Sequence, residues 1–379
     1  MKFVDRDLMA VQEARVLMEE AGEAKTVLGR WKQENLDRVV HAMMKACSER
    51  VEMLVQMAVR ETGYGEITDQ VRMCRFLIAS LEKSFENMRC VGILESCEGE
   101  GVLEIGVPLG VIAVAVPALS PVSAVLFGAV SAVKAGNAVV FAPHPRAVET
   151  TKKTVQILRE VALAEGLPDG AISCMETSAK EGALYRESPA GKTVIYGGIV
   201  PSPVFIERSA DVRQAVADIV AGRSFNCGIV AGSEQYVVAD SRIAEIAKQE
   251  MISCGAYFMD EKEEKKLICL LGIGEKQECA EKEYIGKSAE WLATKAGFSV
   301  PKGTRVLVSE QTYITDFNPY ANVLLCPVIV FYIESDWTHA CEKCMELLMG
   351  ENHGNTLAIH STDAEIIRQF ALKKPVGRV

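Results

Sequence analysis

Gly110-Val-Ile-Ala-Val-Ala-Val-Pro117, continued by Ala118-Leu-Ser-Pro-Val122 and, after an Ala/Val-rich stretch, by Ala135-Gly-Asn-Ala-Val-Val-Phe-Ala-Pro-His-Pro-Arg-Ala147, decides the fold. Val111 to Val116 is apolar without alternation, the mark of a strand buried on both faces. Pro117 and Pro121 bracket a turn, and Val122 to Lys134 then reads as a buried helix. A second strand, Ala138 to Phe141, precedes a helix from Val148 to Glu165, the Gly166-Leu-Pro-Asp-Gly170 loop and a third strand, Ala171 to Cys174. Strands alternating with helices of this length predict a parallel sheet covered on both faces, a Rossmann-like doubly wound unit. The run from Gly110 to Val133 is long, but Pro117, Ser120, Pro121 and Ser123 interrupt it, so it reads as strand, turn and helix rather than as a membrane span. The first crossover has no Gly-x-Gly-x-x-Gly, the phosphate cradle that usually signals a dinucleotide.

Upstream, Asp5 to Phe85 carries apolar residues at spacings of three and four, as in Leu36, Val39, Val40, Met43 and Met44, and contains no proline. At least three helices are expected, with a break at Gly63-Tyr64-Gly65, and Met53, Met57 and Phe76 are read as core. Between Val91 and Val116 the texture turns to β-type runs. Downstream comes a second α/β stretch: helix Asp211 to Ala221, strand Tyr236 to Val238, helix Ser241 to Cys254, strands Arg305 to Val308 and Val328 to Ile333, helix Trp337 to Met349, strand Leu357 to His360 and helix Asp363 to Leu372. The charge run Asp260 to Lys266 reads as a solvated helix face, and Pro375 to Val379 as the start of another strand.

The 379 residues, 49% of them hydrophobic and 24% charged, suffice for two packed domains. These are expected at 1–208, helices plus the Rossmann-like unit, and at 209–379, an α/β domain left C-terminally incomplete. A net charge of −10 repels phosphate backbones and anionic membrane surfaces, so nucleic acid and membrane are not expected partners. Met1-Lys2-Phe3 runs directly into Asp5-Arg6-Asp7 without a signal sequence, and twelve unevenly spaced cysteines suit a reducing compartment; both point to the cytosol. Cys341-x-x-Cys344 lies in a helical pattern with no second pair at zinc spacing, so no metal is expected. His353 and His360 read as structural histidines. His144 and Arg146, at the carboxyl end of a predicted strand, are candidates for a nucleotide contact.

These residues carry a resemblance. Gly110 to Pro117 and Ala135 to Ala147, with the Pro-His-Pro-Arg quartet at 143 to 146, resemble the cofactor domain of the CoA-acylating branch of the aldehyde dehydrogenase superfamily. Val204-Phe-Ile-Glu-Arg-Ser-Ala-Asp211, Ser224-Phe225 with Gly228 and Ser233-Glu-Gln235, Gly255-Ala-Tyr-Phe258, Ile285-Gly-Lys-Ser288 and Ala358-Ile-His-Ser361 follow in that family's order. The resemblance implies an α/β fold with a helical N-terminal region, a Rossmann-like cofactor domain, an α/β catalytic domain and an oligomerisation hairpin near residues 97 to 107. It also implies an oligomer, homomeric or formed with an active paralogue, working in the cytoplasm or in a bacterial microcompartment.

The implied chemistry adds a cysteine thiolate to an aldehyde, passes hydride to NAD and hands the acyl group to CoA. Against the family pattern Phe-Asp-Asn-Gly-x-x-Cys-x-Ser-Glu-Gln, the stretch Phe225 to Gln235 matches without a gap and puts Ala231 at the nucleophile position. A methyl group forms no thiohemiacetal. Cys227, four residues earlier, is the possible substitute and reads better as a small buried hydrophobe. The oxyanion amide of the family is Ser120 here. The nicotinamide-side glutamate is missing around Asn322 to Val328, and a strand with a Gly-Gly turn is missing between Pro189 and Gly191. The resemblance assigns cofactor binding to Ala142, Pro143, His144, Arg146, Gly197 and Gly198. Two function classes stand: a NAD- and CoA-dependent enzyme acting on a short aldehyde such as acetaldehyde or propionaldehyde, and a non-catalytic relative that binds an active subunit or a nucleotide.

Overall fold

The computed structural model describes residues 6–97, 102–176, 202–272, 283–314, 320, 323–349, 356–372, 374 and 376–379. The chain divides into two compact units, Met1–Gly63 with Ile67–Val194, and Tyr64–Glu66 with Ile195–Val379. The boundary expected at 208/209 therefore falls earlier, because the strand Ser202–Ile206 pairs into the second unit's sheet.

The first unit opens with α1 (Arg6–Leu28), α2 (Gln33–Thr62) and α3 (Ile67–Phe85). Met53 and Phe76, expected in the core, are exposed. Each stands about 200° around its helix from a buried neighbour two residues away, Val51 and Cys74 respectively. An antiparallel ribbon follows, β1 (Gly92–Cys97) with β2 (Val102–Gly106). Then come β3 (Val111–Val116), α4 (Pro121–Lys134), β4 (Ala138–Pro143), α5 (Val148–Ala164) and β5 (Ile172–Cys174). The three strands form a parallel sheet in the order β3-β4-β5.

Alternation along β4 builds two cores. Val139 and Phe141 pack with Leu126, Val130 and Leu158 of α4 and α5, whereas Ala138, Val140 and Ala142 meet Ala10, Ala14 and Ala21 of α1. Alanines on both sides of that second contact let the helix lie close to the sheet. Among the described residues no helix is long and apolar enough to cross a membrane.

The second unit holds β6 (Ser202–Ile206), α6 (Val212–Ser224), β7 (Glu234–Asp240), α7 (Ala244–Ser253), β8 (Ala256–Phe258), α8 (Glu261–Leu271), α9 (Ala289–Ala296), β9 (Val306–Glu310), β10 (Val328–Glu334), α10 (Trp337–Leu348), β11 (Ala358–His360) and α11 (Ala364–Ala371). Its six strands pair in parallel in the order β11-β6-β7-β10-β9-β8. Tyr236, Val238, Val330 and Tyr332 face one core, and Val237, Ala239, Ile329 and Phe331 the other. Aspartates start several helices: Asp211, Asp260, Asp336 and Asp363 accept first-turn amides of α6, α8, α10 and α11. The expected final strand contributes one parallel bridge, Thr356 with Arg378.

Candidate functional site

In the second unit the candidate residues lie on the connection from α6 to β7. The helix ends at Ser224 and the chain makes a short 3-10 turn, Phe225–Gly228. Asn226 (φ 49°), Cys227 (φ 54°) and Gly228 (φ 72°) are all left-handed. Glycine takes that conformation freely and asparagine tolerates it, but for cysteine it costs on the order of 1–2 kcal/mol. Such a backbone persists where its surroundings over-determine it.

Three contacts do so here. The Asn226 Oδ1 accepts the Glu66 amide at 2.8 Å. Gly228 lies so close to Cys326 that a Cβ would stand 2.6 Å from that residue's carbonyl carbon and oxygen. Arg223, 2% exposed, donates from Nε to the Val328 carbonyl (2.9 Å), from Nη1 to Ser233 Oγ (3.0 Å) and from Nη2 to the Leu324 carbonyl (2.6 Å).

Burial pulls the Arg223 guanidinium down to about 10, against the neighbouring Cys326, Glu234 and Tyr236. Burial likewise raises the Glu234 carboxyl, with its own backbone amide and then Arg223 opposing. Gln235 continues the clamp: its Nε2 donates to the Tyr320 carbonyl (3.0 Å) and its Oε1 accepts the Leu324 amide (2.8 Å).

Ala231 stands exposed in the turn between this strained segment and β7. Cys227 is buried and within electrostatic reach of Cys326, whose own thiol burial pushes up to about 12. The two candidates thus occupy opposite environments, Ala231 open to solvent and Cys227 packed away. His360, at the end of β11, is half-buried, and burial lowers its imidazole. His353 lies outside the described residues.

In the first unit, β3 and β4 pair in register as far as Val116 with Pro143, so the turns leaving them share one sheet edge. Ser120 is the N-cap residue of α4 yet makes no side-chain capping bond, and the first turn of that helix carries no acidic residue. Ala142 and Pro143 are buried, His144 is half-buried and Arg146 is exposed. The His144 Nδ1 accepts the Arg146 amide at 3.1 Å.

Beyond them the start of α5 is capped from α2. Glu61 accepts the Glu149 amide (2.9 Å), the Thr150 amide (2.8 Å) and the Thr150 hydroxyl (2.6 Å). A helix start after a parallel strand is the usual seat of a phosphate. This one already holds a carboxylate, that of Glu61. Gly197 and Gly198 lie outside the described residues.

The family model of the aldehyde dehydrogenases matches residues 5–198, just over half of the chain. The chain belongs to the aldehyde dehydrogenase family. A probable aldehyde dehydrogenase from Listeria monocytogenes superposes with a TM-score of 0.93 at 35% identity, over 99% of this chain and 87% of that one. An acetylating aldehyde dehydrogenase from Geobacillus thermoglucosidasius gives 0.92 at 31%, over 99% and 86%. The bifunctional aldehyde-alcohol dehydrogenase of Escherichia coli is 27% identical over 371 residues, 93% of this chain and 41% of that protein. This chain therefore spans about two fifths of that relative's length.

The Rossmann-like first unit and the α/β second unit match the aldehyde dehydrogenase fold, and the named relatives include acylating enzymes. Sequence reasoning missed Glu61, Arg223 and Asn226. Glu61 and Arg223 look like ordinary charged positions at the ends of helices. Only Asn226, an asparagine two residues before a glycine and just past a helix end, carried a local signal of left-handed backbone.

Proposed function

We propose that this aldehyde dehydrogenase has the frame of a NAD- and CoA-dependent acylating enzyme and does not by itself convert acetaldehyde or propionaldehyde to acyl-CoA. The observation that carries the reading is the gapless match of Phe225 to Gln235 to the family's nucleophile loop, with Ala231 at the nucleophile position. The strained backbone and the Arg223 clamp support it, since they describe a loop still built to present residue 231. A methyl side chain supplies no electron pair to a carbonyl carbon, so the covalent step is missing. Cys227 does not replace it, being buried and four residues away.

Bound NAD would supply hydride acceptance; the roles of this chain's own residues are narrower. Ala142, Pro143, His144 and Arg146 would receive the adenosine half, with Glu61 excluding phosphate from the start of α5. Ser120 would offer a hydroxyl where the family has an amide. Adenine nucleotides should therefore compete for whatever NAD binds, and calorimetry showing NAD held far more tightly than AMP would count against this assignment.

The ribbon β1–β2 favours association with a second subunit, either another copy or an active paralogue. Ile93, Val102, Leu103 and Ile105 are each more than half exposed on it, and a two-stranded ribbon is marginal alone.

Restoring the nucleophile tests the central reading. The unaltered chain should make no NADH from propionaldehyde, NAD and CoA. Ala231→Cys should gain an alkylatable thiol while staying well below ordinary enzyme rates, because the oxyanion amide and the nicotinamide-side glutamate are absent too. Turnover by the unaltered chain, abolished by Cys227→Ser, would overturn the proposal. Ordinary rates from Ala231→Cys alone would show that Ala231 is the sole lesion.

A further inference from the structure

Away from the nucleophile loop, α10 carries two cysteines one turn apart. Cys344 is fully buried and Cys341 is half-buried. Lys374, three residues past the end of α11, brings its Nζ to 2.5 Å from the Cys341 Sγ. The ammonium also stands 5.0 Å from the ring centre of Phe370, which is buried and stacked on Phe205 of β6 at 5.4 Å. A core-anchored aromatic thus holds a primary amine against a partly accessible thiol. Among the described residues no group of three or more metal-ligating side chains is gathered.

We propose that Cys341 and Lys374 form a peroxide-responsive cross-link, a reducible sulfur–nitrogen tie between α10 and the segment after α11. Hydrogen peroxide is the oxidant. The Cys341 thiolate attacks one peroxide oxygen, the O–O bond breaks, and the products are Cys341 sulfenic acid and water, with sulfur oxidised by two electrons. Lys374 gives a proton to solvent, its lone pair attacks the sulfenic sulfur, and hydroxide leaves and takes up a proton as water. Overall, thiol, amine and one peroxide become Cys341-S–NH-Lys374 and two waters.

Cys344 is the competing partner, and helix geometry decides against it. Residues three apart on a helix hold their Cβ atoms about 5–6 Å apart, whereas a disulfide requires roughly 3.5–4.5 Å. Lys374 already touches the sulfur. The tie would also fix the approach to Arg378, whose carbonyl accepts the Leu357 amide at 3.1 Å beside β11.

The test treats the full chain with hydrogen peroxide, blocks remaining thiols with N-ethylmaleimide, and maps tryptic peptides with and without dithiothreitol. Cleavage after Lys343 puts Cys341 and Cys344 on different peptides. The expected product joins the peptides carrying Cys341 and Lys374, about 2 Da lighter than their sum, and dithiothreitol releases them. Cys344→Ser should leave the link in place. Lys374→Arg, which keeps a cation over Phe370 but lacks a nucleophilic amine, should lose it and drive Cys341 on to sulfinic acid. A Cys341–Cys344 disulfide, sulfinic acid at Cys341 without a link in the unaltered chain, or a Cys341 that peroxide leaves untouched would each overturn the proposal.

Discussion

Replacing Arg223 by methionine should destabilise the second unit by about 1–6 kcal/mol. The guanidinium makes three hydrogen bonds, to the Val328 and Leu324 carbonyls and to Ser233 Oγ. Hydrogen bonds to a charged group contribute roughly 1.5–3 kcal/mol each, so together about 4–9. Against this stands desolvation: burial pulls the guanidinium well below its ordinary range, to about 10, a cost of roughly 3 kcal/mol that methionine no longer incurs. The remainder is the loss expected. It should show as a lower urea midpoint in the fluorescence of Trp291 and Trp337, both in the second unit, while Trp31 in the first is unaffected. Ser233→Ala removes only one of the three bonds and should lose about 1 kcal/mol. Arg223→Lys keeps the charge but abandons the fork, so it should be no better than methionine. If Arg223→Met unfolds at the same midpoint as the unaltered chain, or loses less than Ser233→Ala, the clamp does not hold the 225–233 loop and the reasoning fails.

Gly228→Ala combines a φ of 72° with a Cβ 2.6 Å from the Cys326 backbone, and should lower stability by about 2–4 kcal/mol in the same urea assay. Glu61→Ala uncaps α5 and should cost about 1–2 kcal/mol, read as faster amide exchange at Glu149 and Thr150; unchanged protection there would contradict the capping role. Leu103→Pro, in the exposed ribbon strand β2, should shift the chain toward monomer in light scattering, and a chain that is monomeric both before and after the change would exclude the ribbon as the contact.

The order of strands and helices was legible because it rests on local pattern. Ala138 to Phe141 is apolar throughout and buried throughout, as a strand covered on both faces requires. The equally apolar Val111 to Val116, at the edge of the sheet, leaves Ala113 and Ala115 exposed and so corrects the expectation of burial on both faces; the intervening helix is bounded by Pro121 and Gly136. The run Phe225 to Gln235 was likewise readable as lying between a helix and a strand, and the structure has Ala231 on the connection from α6 to β7. What sequence by itself could not determine depends on partners distant along the chain. The strand Ser202–Ile206 joins the second sheet because its edge pairs with β7 and β11, and no local feature of five apolar or small residues selects that neighbour. Short strands and helices such as β8 and α9 carry too few residues for periodicity to register. Met53 and Phe76 looked like core because composition says nothing about which side of a helix finds a partner. Glu61 on the amides that start α5, Arg223 on the Val328 carbonyl and Lys374 on the Cys341 sulfur are meetings of groups 88, 105 and 33 residues apart, in that order. Polar groups of this kind gain their roles only where folding removes water and leaves one acceptor or donor within reach, and that arrangement belongs to the tertiary structure.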